Sequence, residues 1–407
     1  MTYPPAEPRS CPVCGATITA RFARLKNVPV NCSALWHSAS QASEATRGDI
    51  ELAFCARCGM IFNGAFNPDR VEYSLAYDNT LAHSPTFRAY AASLAERLVE
   101  THHLRGRQIV EIGCGKGDFL DQLCQSGRNR GIGFDPSAED RNVPGLPVIA
   151  SRPFSGAEVD DADFICCRHV LEHIDQPRDL LDNVHRCLSH RGGSAYFEVP
   201  DARAVLNGPS TWDLIYPHCS YFTPPSLQYL FTASGFEVTG IESLYGDQFL
   251  GLEAKVPDRP CTASVDARAL AGVARLVDRF DAKLRQDIYR WSRLIEYASV
   301  AGHRIALWGA GAKGTNFLNV IPGADRISAV VDLNPRKHGA FIPGTAQQVV
   351  PPEKLVEYPP DIVILLNPLY EAEIRVLLQR LGLHPTVMVD PQLPIPAREP
   401  ARMSAAV

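Results

Sequence analysis

An apolar strand that runs without a break into a glycine-rich turn and then a helix constrains a chain strongly, because few folds place those three elements in that order. This chain carries the pattern twice. The first copy is Gln108 to Ile112, then Gly113-Cys114-Gly115-Lys116-Gly117, then a helix from Phe119 to Ser126. Apolar segments at Gly131 to Phe134, Phe164 to Cys167 and Ser194 to Val199 follow at a spacing that predicts parallel strands. The second copy is Arg304 to Trp308, then Gly309-Ala310-Gly311-Ala312-Lys313-Gly314 and a helix to Val320, followed by strands at Ile327 to Val331 and Ile362 to Leu366. The expected class is α/β: a doubly wound sheet and, after it, a second Rossmann-like lobe.

The two turns suit different ligands. In the first, Glu111 sits at the end of the strand, and Asp135 closes the next strand about twenty residues on, where its carboxylate could accept from both hydroxyls of a ribose. That form fits S-adenosylmethionine, which has no phosphate to rest on a helix amino terminus. Glu111, Gly113, Cys114, Gly115, Gly117 and Asp135 are its candidate contacts. The second turn, with Asp332 about twenty residues on, is dinucleotide-like and suits a pyrophosphate. Gly309, Gly311, Lys313 and Asp332 are its candidate contacts. The same turn also serves if it only packs helix on sheet, with Lys313 a surface charge.

Twelve cysteines would mean disulfides in a small secreted domain, but this chain has 407 residues and an amino terminus with no secretory pattern. Free thiols and metal ligands are expected, in a cytoplasmic protein. Four of the cysteines form two knuckles, Cys11-Pro-Val-Cys14-Gly15 and Cys55-Ala-Arg-Cys58-Gly59. Two residues between thiolates let one tight turn aim both sulfurs at a single ion, so the pattern predicts a closed, structural zinc shell of Cys11, Cys14, Cys55 and Cys58. Cys32 is read as buried rather than ligating. No apolar run approaches the roughly 20 residues that span a bilayer. A net charge of -5 argues against a polyanionic partner. An RNA-modifying enzyme would need a basic stripe near the knuckles, for which Arg9, Arg21, Arg24, Lys26 and Arg47 are the local candidates.

Between the turns, a helix is expected from Thr86 to about Thr101, and the charged stretch from Asp258 to about Val300 repeats Leu270, Val273, Val277, Phe280 and Leu284 at helical spacing. It reads as a connector. The Pro- and Ala-rich segment after Pro391 reads as mobile.

Taken in order, these features resemble the three-domain deoxysugar C-methyltransferases, which act on nucleotide-linked keto sugars. The likeness rests on the knuckles, the Glu111 to Gly117 turn and Arg168-His169-Val-Leu-Glu172-His173. It continues through Trp212-Asp-Leu-Ile-Tyr216-Pro-His218-Cys-Ser-Tyr221-Phe222-Thr-Pro, the Gly309 to Gly314 turn and Val331-Asp332-Leu-Asn-Pro-Arg-Lys337. The resemblance implies a zinc-binding domain over 1–72, a class I methyltransferase domain over 73–256, a helical connector over 257–300, a Rossmann-like substrate domain over 301–395 and a mobile tail over 396–407. It also implies methyl transfer from S-adenosylmethionine to a carbon beside a ketone, by way of an enolate, in a monomer or homodimer. Histidines at the carboxyl ends of the first lobe's strands can take that carbon-bound proton, because imidazole titrates near neutrality. By the resemblance His218 is the base, Tyr77, His173 and Tyr216 or Tyr221 line the sugar, and Arg168 and His169 stand at the methyl donor. One position departs from the family: Pro217 stands where a Glu often precedes the matching histidine. An oxygen- or nitrogen-methylating enzyme, which needs weaker deprotonation, is the nearest alternative, and a binding protein without turnover is a further one.

Overall fold

The computed structural model describes residues 9–18, 20–72, 80–159, 161–208 and 211–393. Strands β1 (Arg9–Ser10) and β2 (Thr17–Ile18) form a small ribbon under the first knuckle, and β3 (Arg21–Pro29), β4 (Arg47–Phe54) and β5 (Ile61–Asn63) form an antiparallel sheet beside it. Ala23, Leu25 and Val28 of β3 face Ile50 and Leu52 of β4 in one core. Helix α1 (Ala39–Ser43) spans part of the β3 to β4 connection.

The middle lobe opens with α2 (Pro85–Thr101), whose Ser84 hydroxyl caps it by accepting from Phe87 N–H. Then come β6 (Gln108–Ile112), α3 (Asp118–Gly127), β7 (Arg130–Phe134), β8 (Val148–Ala150), β9 (Phe164–Arg168), α4 (Pro177–Ser189), β10 (Ser194–Pro200) and α5 (Ala202–Asn207). After β11 (Ser220–Tyr221) and α6 (Pro224–Ala233), a hairpin of β12 (Glu237–Leu244) and β13 (Phe249–Lys255) completes a seven-stranded sheet of order β12-β13-β10-β9-β6-β7-β8. The five strands from β6 to β10 pair in parallel and β13 joins β10 antiparallel. Phe164, Ile165, Cys166 and Cys167 are buried in succession, as a strand covered on both faces requires. This is the class I methyltransferase sheet.

The third lobe is a five-stranded parallel sheet of order β16-β15-β14-β17-β18, built from β14 (Ile305–Trp308), β15 (Ala329–Val331), β16 (Val349–Val350), β17 (Ile362–Leu365) and β18 (Thr386–Met388), with α8 (Ala312–Val320) and α9 (Glu371–Arg380) packed on it. Joining it to the middle lobe is α7 (Ala267–Val300), capped by the Asp266 carboxylate. The connector expected here is more than a link. Its first half buries Val273, Val277, Phe280 and Leu284 against β3 and α5, and its second half buries Trp291, Leu294, Ile295 and Ala298 in the core of the third lobe. Two cores are thus pinned to one helix of 34 residues. Among the described residues, no helix is long and apolar enough to cross a membrane.

Loop 211–223 is where the modules meet. Strand β11 leaves the middle lobe to pair with β5, so it forms the edge of the amino-terminal sheet. From the third lobe, the buried Asn316 amide of α8 donates to the Trp212 and Leu214 carbonyls, at 3.2 and 2.7 Å, and Phe317 packs edge-on against Trp212. A loop held from both sides in this way keeps its middle residues in fixed positions.

Candidate active site

Both glycine turns are built by the same device. Gly113 N–H donates to the Phe134 carbonyl at 2.7 Å, and Gly309 N–H donates to the Val331 carbonyl at 2.7 Å. Both glycines sit at positive φ, 72° and 106°, where a side chain would be strained. The strand-ending acids then brace the turns: Asp135 accepts from Gly115 N–H at 2.9 Å and Ser137 N–H at 2.7 Å, and Asp332 accepts from Ala310 N–H and Asn334 N–H, each at 2.8 Å. Gly117 has a different task. It caps α3 at φ 85°, with Ile149 and Arg141 crowding the space a side chain would need, and it shapes the turn from behind.

The turns face one cleft of about 1280 Å³ that runs between the carboxyl ends of the two sheets. Its middle-lobe wall includes Glu111, Gly113, Cys114, Gly115, Asp118 and Asp135, and its opposite wall includes Gly309, Gly311, Lys313, Asp332 and Lys337. Glu111 is buried, its Oε2 has no hydrogen-bond partner, and burial pushes its carboxyl up to about 8. A buried acid with an open acceptor, beside Asp118 and Asp121 in the first turn of α3, suits a cationic ligand and repels a phosphate. These residues fit S-adenosylmethionine, whose sulfonium supplies an electrophilic methyl group. Glu111 and Asp135 would hold its charged and ribose ends, with Gly113 and Gly115 against its backbone-facing edge.

Arg168 and His169 line the same wall, but they are engaged with the protein. Arg168 donates to Glu198 at 2.9 and 3.1 Å, and its guanidinium lies over the Phe119 ring. His169 sits at φ 56°, a left-handed conformation uncommon for a side chain this large, with Nε2 2.9 Å from Glu198. Glu198 also accepts from the hydroxyls of Tyr90 and Tyr196. Although burial alone would raise it, the Arg168 charge and its other donors hold this carboxyl well below the usual range. Glu198 is not marked by any sequence pattern, since a lone acid in an apolar strand has no spacing signal.

Between the two walls stand His173 and His218, with ring centroids 4.8 Å apart, edge to face. Both line the cleft. His173 Nδ1 lies 3.1 Å from the Pro217 carbonyl, which can only accept, so Nδ1 carries the proton and Nε2 is the acceptor nitrogen. Burial pushes His218 down to about 3, so it is neutral across the physiological range.

The tyrosines depart from expectation. Tyr216 lies in the core under the amino-terminal sheet, packs on Phe66 and accepts from Asn67 N–H at 3.0 Å. Tyr221 is buried with its hydroxyl donating to the Ile215 carbonyl at 3.3 Å. Both serve the loop that carries His218 rather than line the cleft: Tyr216 packs against Gly48 of β4, and the pairing of β11 with β5 holds Tyr221 in the same core. Tyr77 lies outside the described residues. Lys313, read as either surface charge or ligand contact, is on the cleft wall and pairs with Asp213 at 3.0 Å.

Cys11, Cys14, Cys55 and Cys58 come together, all four sulfurs within 4.8 Å of one another. Each knuckle closes on the same pair of backbone bonds: Cys11 N–H to Ala16 and Gly15 N–H to Cys11 in one, Cys55 N–H to Met60 and Gly59 N–H to Cys55 in the other. A tetrahedral zinc with bonds of about 2.3 Å needs sulfurs about 3.8 Å apart. The closest pairs, at 3.5 and 3.6 Å, fit that shell. Cys32 is buried apart from the cluster. Three of the basic residues near it are engaged with the protein: Arg24 pairs with Asp49 and Glu51, Arg21 with Glu51, and Arg47 donates to Asn27, Asn319 and Gly344.

Comparison with known proteins agrees with this geometry. Residues 83–240 match the family model described as a methyltransferase domain, and residues 265–383 match the one described as a C-methyltransferase C-terminal domain. The chain is an S-adenosylmethionine-dependent methyltransferase. Over most of its length it is similar to the C-methyltransferase NovU of Streptomyces niveus, 24% identical over 393 residues, which is 89% of this chain and 90% of that protein. A shorter similarity, 27% over 118 residues, links it to the ubiquinone biosynthesis O-methyltransferase of Methylococcus capsulatus, covering 26% of this chain and 49% of that one. Among solved structures, magnesium protoporphyrin IX methyltransferase from Synechocystis with bound SAH covers 42% of this chain and 84% of its own, at 16% identity and a TM-score of 0.33.

Proposed function

We propose that this enzyme methylates a carbon next to the ketone of a nucleotide-linked keto sugar. The observation that carries the reading is a single cleft with an acidic, cation-suited turn on one wall, a basic helix amino terminus on the other and two imidazoles between them. Helix α8 begins at Ala312, directly on the glycine turn, with no acid in its first turn and with Lys313 there. Lys337 stands beside it, 3.2 Å from Asp332. Such an end favours a diphosphate. A nucleotide anchored there would leave its sugar at the imidazole pair and at the methyl donor's side of the cleft.

On this reading His218, neutral and buried, takes the proton from the carbon beside the ketone. The electron pair of that C–H bond becomes the carbon–carbon double bond of an enolate, whose oxygen takes the displaced π pair. Exclusion of water keeps the enolate carbon from being reprotonated by solvent. The four-cysteine cluster holds zinc as a structural ion, since four thiolates leave no open position. Its place next to β5, which pairs with β11, ties the metal to the loop of His218. The likeness to a C-methyltransferase over most of the chain supports a carbon acceptor.

The test is mass spectrometry of the products formed from isotopically labelled methyl donor and a panel of nucleotide-linked keto sugars. One added methyl, located on the carbon beside the ketone, is expected. A label found only on oxygen or nitrogen, or no product from any panel member, would discard the reading.

A further inference from the structure

Position 217 offers no carboxylate to His218, yet the site does not lack one. Glu172 ends the strand-to-turn segment after β9, is buried at 2% exposure and lines the cleft. One carboxylate oxygen of Glu172 and one ring nitrogen each of His173 and His218 all lie within 4.8 Å of one another. Its Oε1 lies 3.9 Å from His169 Nδ1, and its Oε2 has no hydrogen-bond partner. A buried acid in reach of three imidazoles, with one acceptor oxygen open, is costly to leave without a role.

The geometry points to Glu172 as the positioning residue and charge partner of the catalytic imidazoles, supplying from the middle lobe the carboxylate that Pro217 does not. This rests on the carbon-methylation reading above. When His218 takes the substrate proton it becomes a cation at a buried position, where burial disfavours that charge. An ionised Glu172 within reach of the ring offsets the cost, as a carboxylate behind a histidine does in many hydrolases. It also orients the ring toward the substrate. No bond to Glu172 forms or breaks in this account: the proton moves from carbon to His218 nitrogen, and the C–H electron pair stays in the enolate.

The groups facing Glu172 set when it can act. His169 approaches from the end of β9, His173 from its own turn and His218 from the 211–223 loop, while the carboxylates of Asp213 and Glu198 repel its ionisation. Cys219 donates from its thiol to the Glu172 main-chain carbonyl at 3.5 Å and leaves the carboxyl untouched. Burial first, then Asp213 and Glu198, push Glu172 up to about 8. Only the ionised fraction supports an imidazolium, so proton abstraction should speed up as pH rises through about 8.

The experiment follows hydrogen–deuterium exchange at the carbon beside the ketone, in deuterated buffer with S-adenosylhomocysteine in place of the donor, across the same panel of nucleotide-linked keto sugars. The full chain and its Glu172→Gln and Glu172→Asp variants are compared, with calorimetric S-adenosylhomocysteine affinity as the measure of an intact middle lobe. Expected is a roughly 10- to 100-fold slower exchange in Glu172→Gln, loss of the pH rise, and unchanged S-adenosylhomocysteine affinity. Glu172→Asp should keep the pH rise at a reduced rate. Wild-type exchange rate and pH profile in Glu172→Gln would overturn the inference and leave the carbon-methylation reading intact. Equal slowing in both variants with the pH rise retained would also overturn it, in favour of a packing role. Exchange by the wild type on no panel member would remove the carbon-methylation reading and this inference with it.

Discussion

The two glycine turns share a construction and differ in sign. Each follows an apolar strand, each is tied to the neighbouring strand by a glycine N–H and each is braced by an aspartate, Asp135 or Asp332. In the middle lobe the turn continues through Gly115 and Gly117 at positive φ before α3 starts at Asp118, and two acids fill the helix's first turn. In the third lobe α8 starts at Ala312 and the first turn carries Lys313. One scaffold therefore offers a wide acidic pocket to a cation and a tight basic helix end to an anion. The lesson is that a glycine turn supplies close backbone approach, while the residues just after it choose the charge of what approaches.

The sharpest way to break the comparison is to remove what stands between the two turns. His218→Gln should lower methyl transfer by roughly 10²- to 10⁴-fold with S-adenosylmethionine affinity unchanged, checked by product formation and calorimetry. A fall in donor affinity as well would mean the imidazole belongs to the acidic wall and not to the reaction centre.

Next comes a crossed pair. Asp135→Ala should weaken S-adenosylmethionine binding by about 10- to 100-fold and leave nucleoside diphosphate binding alone, because it removes a charged acceptor from one turn only. Asp332→Ala should do the reverse. Calorimetry on both variants with both ligands fills the four cells of the comparison, and any variant that loses both ligands shows the turns to be coupled. A smaller effect is expected from Lys313→Met: about a 10-fold rise in the KM for the nucleotide-linked acceptor, together with a flatter dependence of that KM on salt.

The smallest effect concerns pH. Glu111 is held at about 8 by burial in the folded, ligand-free protein, against an ordinary 4.5. Between these values the unfolded chain releases a proton that the folded one keeps, so the contribution of Glu111 to stability without ligand should fall as pH rises from about 4.5 to about 8 and level off above, while buried His218 acts in the opposite sense below about 6.5. A cationic donor favours the ionised carboxyl, so its affinity should rise as pH rises toward about 8, with proton release on binding. Thermal melts and buffer-dependent calorimetry measure the two effects: Glu111→Gln should flatten the binding slope, and the stability difference between wild type and variant should shrink as pH rises through the window. A difference between wild type and Glu111→Gln that grows with pH instead would mean Glu111 is ionised without ligand.

Much of this molecule was legible beforehand. The strands at 108–112, 130–134, 164–168 and 194–200, both glycine turns and the long helix fall where apolar runs and helical spacing predicted them, because those signals are local. The knuckles were legible for the same reason. Tyr216 and Tyr221 were misread because β11, two residues long, leaves its own lobe to pair with β5, and a two-residue strand has no sequence signature. Glu198 and Glu172 were unreadable as site residues because a single acid in an apolar stretch means nothing until the fold brings Arg168, His169, His173 and His218 around it.

What the sequence determined by itself, then, is which segments become strands, turns and helices and which cysteines form each knuckle, since each depends on neighbours within a few residues of chain. Only the tertiary structure decided that both turns open onto one cleft, that α7 ties the first module to the third, and that a carboxylate 46 residues before His218 in the chain lies beside its ring. Those outcomes depend on burial and charge between groups distant in sequence, and such forces take effect only once the sheets have packed.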